Sequence, residues 1–355
     1  MGGMNAIAPC SPLVRRSVAA LAPYVPGQQL ENVIKLNTNE NPYPPSPAVG
    51  EALRGCDPAA LRLYPNANCD GLRARLGEIF GCGPECAFAG NGSDEILRLA
   101  MSCFTTEERP AAAAFHPTYS LYPVLAAAAG VPYREVELAE DFGWAEPEGV
   151  DGAGLFLLAN PNAPTGVLQP VERIRAFAAR FGGVVLVDEA YVDFAGEGAS
   201  AAGLALESEN VLVCRTFSKS GALAGMRVGY VLGNPGLIGA FQRLKDSYNV
   251  DRLAQATALA VLSDLPYLRE TAARVAATRD RVAAELRRRG WRLTDSRANF
   301  LWAKPPEGQS AGDIQRQLLE KGILVRHFPA DPRTRDWLRI SVGTEEQMDA
   351  VLAAL

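Results

Sequence analysis

Five short runs of apolar or small residues, at 111–115, 155–159, 184–187, 211–214 and 228–232, alternate with helical patterns at 70–80, 94–103, 171–180 and 237–244. No other feature restricts the fold as much. Continuously apolar runs of this length suit strands buried on both faces, and helices between them cover those faces. The rhythm predicts an α/β architecture with a mainly parallel sheet. After about residue 250 it changes: a long helical stretch at 252–289, a segment at 291–302, a helix at 311–321, strands at 323–325 and 337–341, and a final helix at 345–354. That tail reads as a smaller α+β C-terminal domain. Ahead of the rhythm, prolines at 9, 12, 23 and 26 flank one short helix near 12–21, and a Pro/Asn-rich loop fills 37–47. The expected division is an N-terminal arm (1–47), a large domain (48–250) and a small domain (251–355).

Composition narrows the function classes. The 355 residues carry 35 Lys plus Arg against 40 Asp plus Glu, a net charge of −5. That balance argues against nucleic-acid binding, which needs clustered cations. The longest apolar stretches, such as 124–131 and 183–187, fall far short of the roughly 18 residues of a membrane span. The N-terminus has its charges after a mixed stretch, so it does not read as a signal peptide. Seven scattered cysteines make a complete disulfide framework improbable. Cys82 and Cys86 have no second pair to complete a zinc site, and His116 and His327 lie far apart, so no metal is expected. A cytoplasmic location is the expectation.

Two features invite over-reading. Gly90-Asn91-Gly92-Ser93-Asp94-Glu95 resembles the start of a dinucleotide fingerprint, but Glu95 stands where the third glycine belongs. What survives is a helix N-terminus whose free N–H groups can hold a phosphate; locally, a plain N-cap by Ser93 explains it as well. The charged stretch 269–289 has both signs and reads as a solvated helix face.

The chemistry is carried by strand ends. Only five lysines exist, and Lys219 alone sits in a Gly/Ala/Ser-rich loop after a strand, with Ser218 beside it and Arg227 eight residues on. In an open α/β sheet, ligands bind beyond the carboxyl ends of strands, and an amine there can form a Schiff base beside a phosphate site. Asp188 ends the run 184–187, where a buried carboxylate is costly unless a positive ring nitrogen faces it. Tyr191 follows three residues later, and the turn 160–166 follows another strand. Singly, each is turn or cap chemistry. Together they set an acid, a phenol, amides and an amine in the order a pyridoxal phosphate site requires.

NPNAPTG (160–166), DEAY (188–191) and FSKSGALAGMRVGY (217–230) resemble the fold-type I pyridoxal-phosphate aminotransferases. LAPYVPG (21–27), LNTNENPYPPSP (36–47), YPNAN (64–68), GNGSDEI (90–96), HPTYSLY (116–122), YNVDRLAQ (248–255), ILVRHF (323–328) and WLRISVGT (337–344) resemble the histidinol-phosphate aminotransferases within them. The resemblance runs from about residue 12 to the C-terminus. It implies that Lys219 holds the cofactor as a Schiff base and moves the proton, that Asp188 pairs with the ring nitrogen, and that Tyr191 bonds the ring 3-hydroxyl. Tyr119 would stack on the ring. Ser93, Asp94, Ser218 and Arg227 would hold the cofactor phosphate, with Tyr64 reaching over from a partner subunit of a homodimer with shared active sites. Arg339 would bind the α-carboxylate of glutamate or 2-oxoglutarate, and Arg326 and Tyr24 the phosphate of histidinol phosphate, since a guanidinium fork suits both anions. The arm would contribute to substrate site and dimer.

One departure stands out. Relatives place Asn directly before Pro-Thr-Gly; here Ala163 occupies that position and Asn162 is one residue early. Asn162 is kept as a candidate for the ring 3-hydroxyl. The implied reaction is L-histidinol phosphate plus 2-oxoglutarate to imidazole acetol phosphate plus L-glutamate, in L-histidine biosynthesis. The alternatives are an aromatic or broad-range aminotransferase, a threonine-phosphate decarboxylase-like enzyme and a non-catalytic effector sensor.

Overall fold

The computed structural model describes residues 11–21 and 30–355. Its strands are β1 (Ile34–Leu36), β2 (Ala87–Gly90), β3 (Ala111–His116), β4 (Tyr133–Glu137), β5 (Ala153–Ala159), β6 (Val184–Asp188), β7 (Val211–Thr216), β8 (Gly229–Gly233), β9 (Arg292–Leu293), β10 (Phe300–Lys304), β11 (Ile323–His327) and β12 (Leu338–Ser341). Seven form the large sheet, in the order β2-β8-β7-β6-β5-β3-β4. The pairs β3·β4, β3·β5, β5·β6 and β6·β7 are parallel; β8 alone runs against its neighbours β7 and β2. The sheet is therefore mainly parallel.

Every residue of β5 and β6 is buried. Because side chains alternate across a strand, Leu155 and Leu157 feed one core, with Ile96, Leu97, Met101 and Phe241. Phe156 and Leu158 feed the other, with Ile174, Phe177 and Phe181. Those last three recur at the spacing of one helical face, and each full burial of a Leu or Phe contributes roughly 1.5–3 kcal/mol. The parallel strands all end on one side, and that side carries the site.

The second sheet has the order β1-β11-β12-β10-β9. β1 pairs in parallel with β11, matching Ile34 to Ile323 and Leu36 to Val325. A three-residue strand just ahead of the Pro/Asn-rich loop thus stitches this early segment onto the C-terminal sheet. Trp291, Leu301, Val325 and Ile340 pack there against Leu318 and Val351 of the helices Ala311–Glu320 and Glu345–Ala354.

Three expectations are corrected. The stretch 252–289 is two helices, Arg252–Ser263 and Leu265–Arg288, because Asp264 caps the second through the Tyr267 N–H and Pro266 sits in its first turn. The N-terminal helix spans only Arg16–Ala19. β4, with three of its five residues exposed, went unforeseen because an edge strand lacks the continuous apolar signal of the others.

Candidate active site

A cavity of about 230 Å³ opens at the carboxyl ends of the parallel strands, and Lys219, Asp188, Tyr191, Tyr119, Ser93, Asp94, Ser218, Arg227, Arg326 and Arg339 all line it. Residues from the whole length of the chain meet there because four strand ends and the edge of the second sheet converge.

Lys219 lies just past β7. Its Nζ donates to the Thr38 carbonyl at 3.1 Å and stands 5.7 Å from the centroid of the Tyr191 ring. The Asn41 side chain braces the loop by donating to the Lys219 and Ser220 carbonyls.

Asp188 is the last residue of β6 and only 5% exposed. Its Oδ2 accepts from the Tyr122 hydroxyl at 2.9 Å, and its Oδ1 accepts from the Ala190 N–H at 3.2 Å. Both donors are neutral. Burial pushes the carboxyl up to about 6 despite them. Tyr122 is fully buried, and burial together with the Asp188 charge holds its phenol well above its ordinary value, so it stays a donor. An anion held this way gains most from a cation presented on its cavity side.

The same cavity also carries a helix N-terminus and a guanidinium, groups that favour an anion. The helix Gly92–Phe104 points its N-terminus in, and Gly92 begins it with φ +76°, a region that favours glycine. Ser93 is the second residue of that helix and makes no cap, which corrects the N-cap reading. Arg227 Nη2 donates to Asp94 Oδ2 at 3.1 Å, and Nη1 to Ser218 Oγ at 3.4 Å. Gly229 lets β8 pass close beneath: a Cβ there would stand 2.8 Å from the Ser93 nitrogen and 2.7 Å from the Arg215 carbonyl. Behind this wall, Arg215 pairs with buried Glu189 at 2.9 Å.

Tyr119 donates to Asp94 Oδ1 at 3.4 Å and meets Tyr122 edge-on at 5.5 Å. Tyr191 packs edge-on against Phe300 and accepts from Asn39 Nδ2 at 3.1 Å. Arg326 and Arg339 are direct partners across β11 and β12. Like charges facing each other on a sheet oppose its pairing. The Phe328 ring eases this, with one guanidinium at 5.3 Å and the other at 5.4 Å from its centroid. Arg339 also donates to the Asn37 carbonyl at 2.8 Å.

Three candidates stand apart. Asn162 is absent from the cavity lining: its Nδ2 donates to the Pro117 carbonyl and Thr165 Oγ1, and its Oδ1 accepts from Thr118. The candidacy of Asn162 for the ring hydroxyl is therefore corrected; it braces the turn, and Ala163 lines the cavity instead. Tyr64 is 75% exposed and stacks on Tyr248 at 4.2 Å, away from this cavity. Tyr24 lies outside the described residues. Sequence reasoning missed Thr38, Asn39, Tyr122 and Phe328. Tyr122 had a signal, three residues after Tyr119 at the start of the helix Leu121–Ala129; Thr38, Asn39 and Phe328 sit inside the motifs at 36–47 and 323–328 with nothing to mark their roles.

An amine, a buried acid awaiting a cation, a phenol and a phosphate-holding helix end fit a phosphorylated pyridine aldehyde. The comparisons agree. Residues 31–355 match the family described as aminotransferase class I and II. The histidinol-phosphate aminotransferase 2 of Thiobacillus denitrificans is 45% identical over 95% of both chains. That of Aromatoleum aromaticum is 44% identical over 95% of this chain and 96% of its own. Among solved structures, a histidinol-phosphate aminotransferase from Sinorhizobium meliloti in complex with pyridoxal 5'-phosphate superposes with a TM-score of 0.87 at 28% identity, over 98% of this chain and 97% of that one. The chain belongs to the class I and II aminotransferases, and within them to the histidinol-phosphate aminotransferase family.

Proposed function

We propose that the chain is a pyridoxal-phosphate-dependent transaminase. It interconverts L-histidinol phosphate plus 2-oxoglutarate with imidazole acetol phosphate plus L-glutamate, as a cytoplasmic step of L-histidine biosynthesis. The observation that carries the reading is the opposed pair Arg326 and Arg339, opening onto the same cavity as Lys219 and Asp188. Two guanidiniums lining one cavity offer an anion charge-assisted, forked hydrogen bonds, and both amino donors of this reaction bring an anion.

When bound, the cofactor supplies a carbonyl to take the amino group and a ring to withdraw electrons. Ser93, Ser218, Arg227 and the helix N-terminus hold its phosphate, and Asp94 buttresses Arg227. Asp188, kept in place by Tyr122 and Ala190, would hold the proton on the ring nitrogen. Tyr191 would donate to the ring oxygen, and Tyr119 would cover a ring face. Lys219, released from the Thr38 carbonyl, is the base that takes the proton from the substrate Cα and returns it to the product side. Arg339 orients the carboxylate of glutamate; Arg326 and Arg339 take the phosphate of histidinol phosphate, with Tyr24.

The enzyme works as a homodimer. Tyr64 is exposed and flanked by exposed Leu61 and Leu63, which suits insertion beside a second copy's cofactor phosphate. Among the described residues no helix is long and apolar enough to cross a membrane. We also propose the division into an arm (1–47), a large domain (48–250) and a small domain (251–355), with residues 34–36 pairing into the second sheet.

A coupled assay comparing L-histidinol phosphate with L-phenylalanine and L-tyrosine tests the reading. Histidinol phosphate is expected to give the highest kcat/KM. Equal or better rates with the aromatic amino acids would favour a broad-range aminotransferase, and release of carbon dioxide from a phosphorylated amino acid would favour a decarboxylase.

A further inference from the structure

Asn39 is 1% exposed and holds φ +56°, a left-handed conformation that Asn tolerates better than most residues. Its contacts form a closed set. The Asn39 backbone N–H donates to Ser341 Oγ at 2.9 Å. Ser341 Oγ donates its one proton to Asn39 Oδ1 at 2.8 Å. The Asn39 carbonyl accepts from Asn299 Nδ2 at 2.9 Å. In the orientation that lets Oδ1 accept from Ser341, the side-chain nitrogen faces Tyr191 and lies 3.1 Å from that hydroxyl. The Tyr191 oxygen is thereby an acceptor on its buried side, so its own proton has to point elsewhere. Tyr191 lines the cavity, so that proton is available to a ligand held there.

We propose that Asn39 is a positioning residue that fixes the direction of the Tyr191 proton, and that Ser341 pins Asn39 in turn. The inference rests on the proposed cofactor reading. Ser341 stands two residues after Arg339 on β12, so both project from one face of the strand. The strand that presents a substrate-binding guanidinium also decides whether the phenol donates or accepts. With Asn39 in place, Tyr191 always donates to the ring oxygen of the cofactor, drawing off negative charge that would otherwise retain the titrating proton of the coloured group.

The test is a pH titration of the visible absorbance of the reconstituted enzyme and four variants. Tyr191→Phe is expected to raise the midpoint by about one pH unit, the worth of a hydrogen bond to a charged group. Asn39→Gly tolerates the backbone conformation, adds no charge and is expected to raise the midpoint in the same direction. Combined with Tyr191→Phe it should add nothing, because Asn39 acts through that phenol. Ser341→Ala should give a smaller rise. A wild-type midpoint in Asn39→Gly beside a shifted Tyr191→Phe, or full additivity in the double variant, overturns the proposal alone. An unmoved midpoint in Tyr191→Phe removes the Tyr191 assignment and this proposal with it. A colourless wild-type protein after incubation with pyridoxal phosphate refutes the underlying function. If Asn39→Gly does not fold, Ser341→Ala carries the comparison, and an unmoved midpoint there is refutation.

Discussion

Replacing Asp188 by Asn should shift the stability of the cofactor-free protein in favour of the variant as pH rises, while it removes most of the activity. The magnitude follows from the buried carboxyl, whose folded pKa rises from the ordinary 3.8 to about 6, with burial as the main cause. In the unfolded chain the group loses its proton near 3.8, but in the folded protein only near 6. Between those values the folded state binds more protons than the unfolded one, so this group's contribution to stability falls as pH rises through the window. At 1.36 kcal/mol per pH unit, the full penalty above the window is about 3 kcal/mol. Asn carries no titrating charge and can still accept from Tyr122; its amide nitrogen then faces the Ala190 N–H, a cost that does not vary with pH. The assay is urea unfolding of cofactor-free wild type and Asp188→Asn between about pH 4 and pH 8, where the stability difference should move toward the variant by about 2–3 kcal/mol. Taking the difference between two proteins cancels every other titrating group. Holoenzyme should show the reverse, because the protonated ring nitrogen restores the missing cation and the variant loses it. A difference that stays flat across this pH range would refute the reasoning and make Asp188 a carboxylate that its two neutral donors already satisfy.

The parts of the site that were legible are those whose chemistry is local. DEAY places Asp188 at the end of a run of buried valines and leucines, so a costly acid and its strand are visible together. The loop from Phe217 to Tyr230 likewise announces an amine and a guanidinium between two strands. The structure brings Lys219, Asp188, Tyr191, Arg227 and the two C-terminal arginines to one cavity. Asn39 was invisible because its meaning lies in contacts 152 and 302 residues away, with Tyr191 and Ser341. The same holds for β1, whose three residues are made a strand by pairing with β11 rather than by their own pattern. Asn162 misled for the opposite reason: a motif one residue out of step was read as a displaced ligand, whereas the fold spends all of that amide on Pro117, Thr118 and Thr165. Motifs report chemistry where sequence neighbours share a task, and lose it where the fold assigns the task.

Lys219→Ala should abolish turnover and the visible band while cofactor still binds through its phosphate; wild-type turnover would overturn the Lys219 assignment. Mixing Tyr64→Ala with Lys219→Ala subunits should restore part of the activity, since one hybrid site carries neither change; no recovery after verified exchange would mean that each site is built from one chain. Gly229→Ala should weaken cofactor binding roughly tenfold or more, because the Cβ meets only backbone at Arg215 and Ser93, and relieving such overpacking costs about 1–3 kcal/mol; an unchanged Kd would mean the Ser93 end is free to shift. The arginine pair should separate by substrate. Arg339→Ala removes the partner of the Asn37 carbonyl and the carboxylate ligand together, so both half-reactions should fall. Arg326→Ala leaves Arg339 against Phe328 and removes one charged hydrogen bond to phosphate, worth roughly 1.5–3 kcal/mol, or about one to two decades in kcat/KM for histidinol phosphate. Glutamate should lose less, as its α-carboxylate keeps Arg339. If Arg326→Ala leaves the preference for histidinol phosphate over tyrosine unchanged, the opposed guanidiniums do not read phosphate, and the broad aromatic aminotransferase becomes the better account of this cavity.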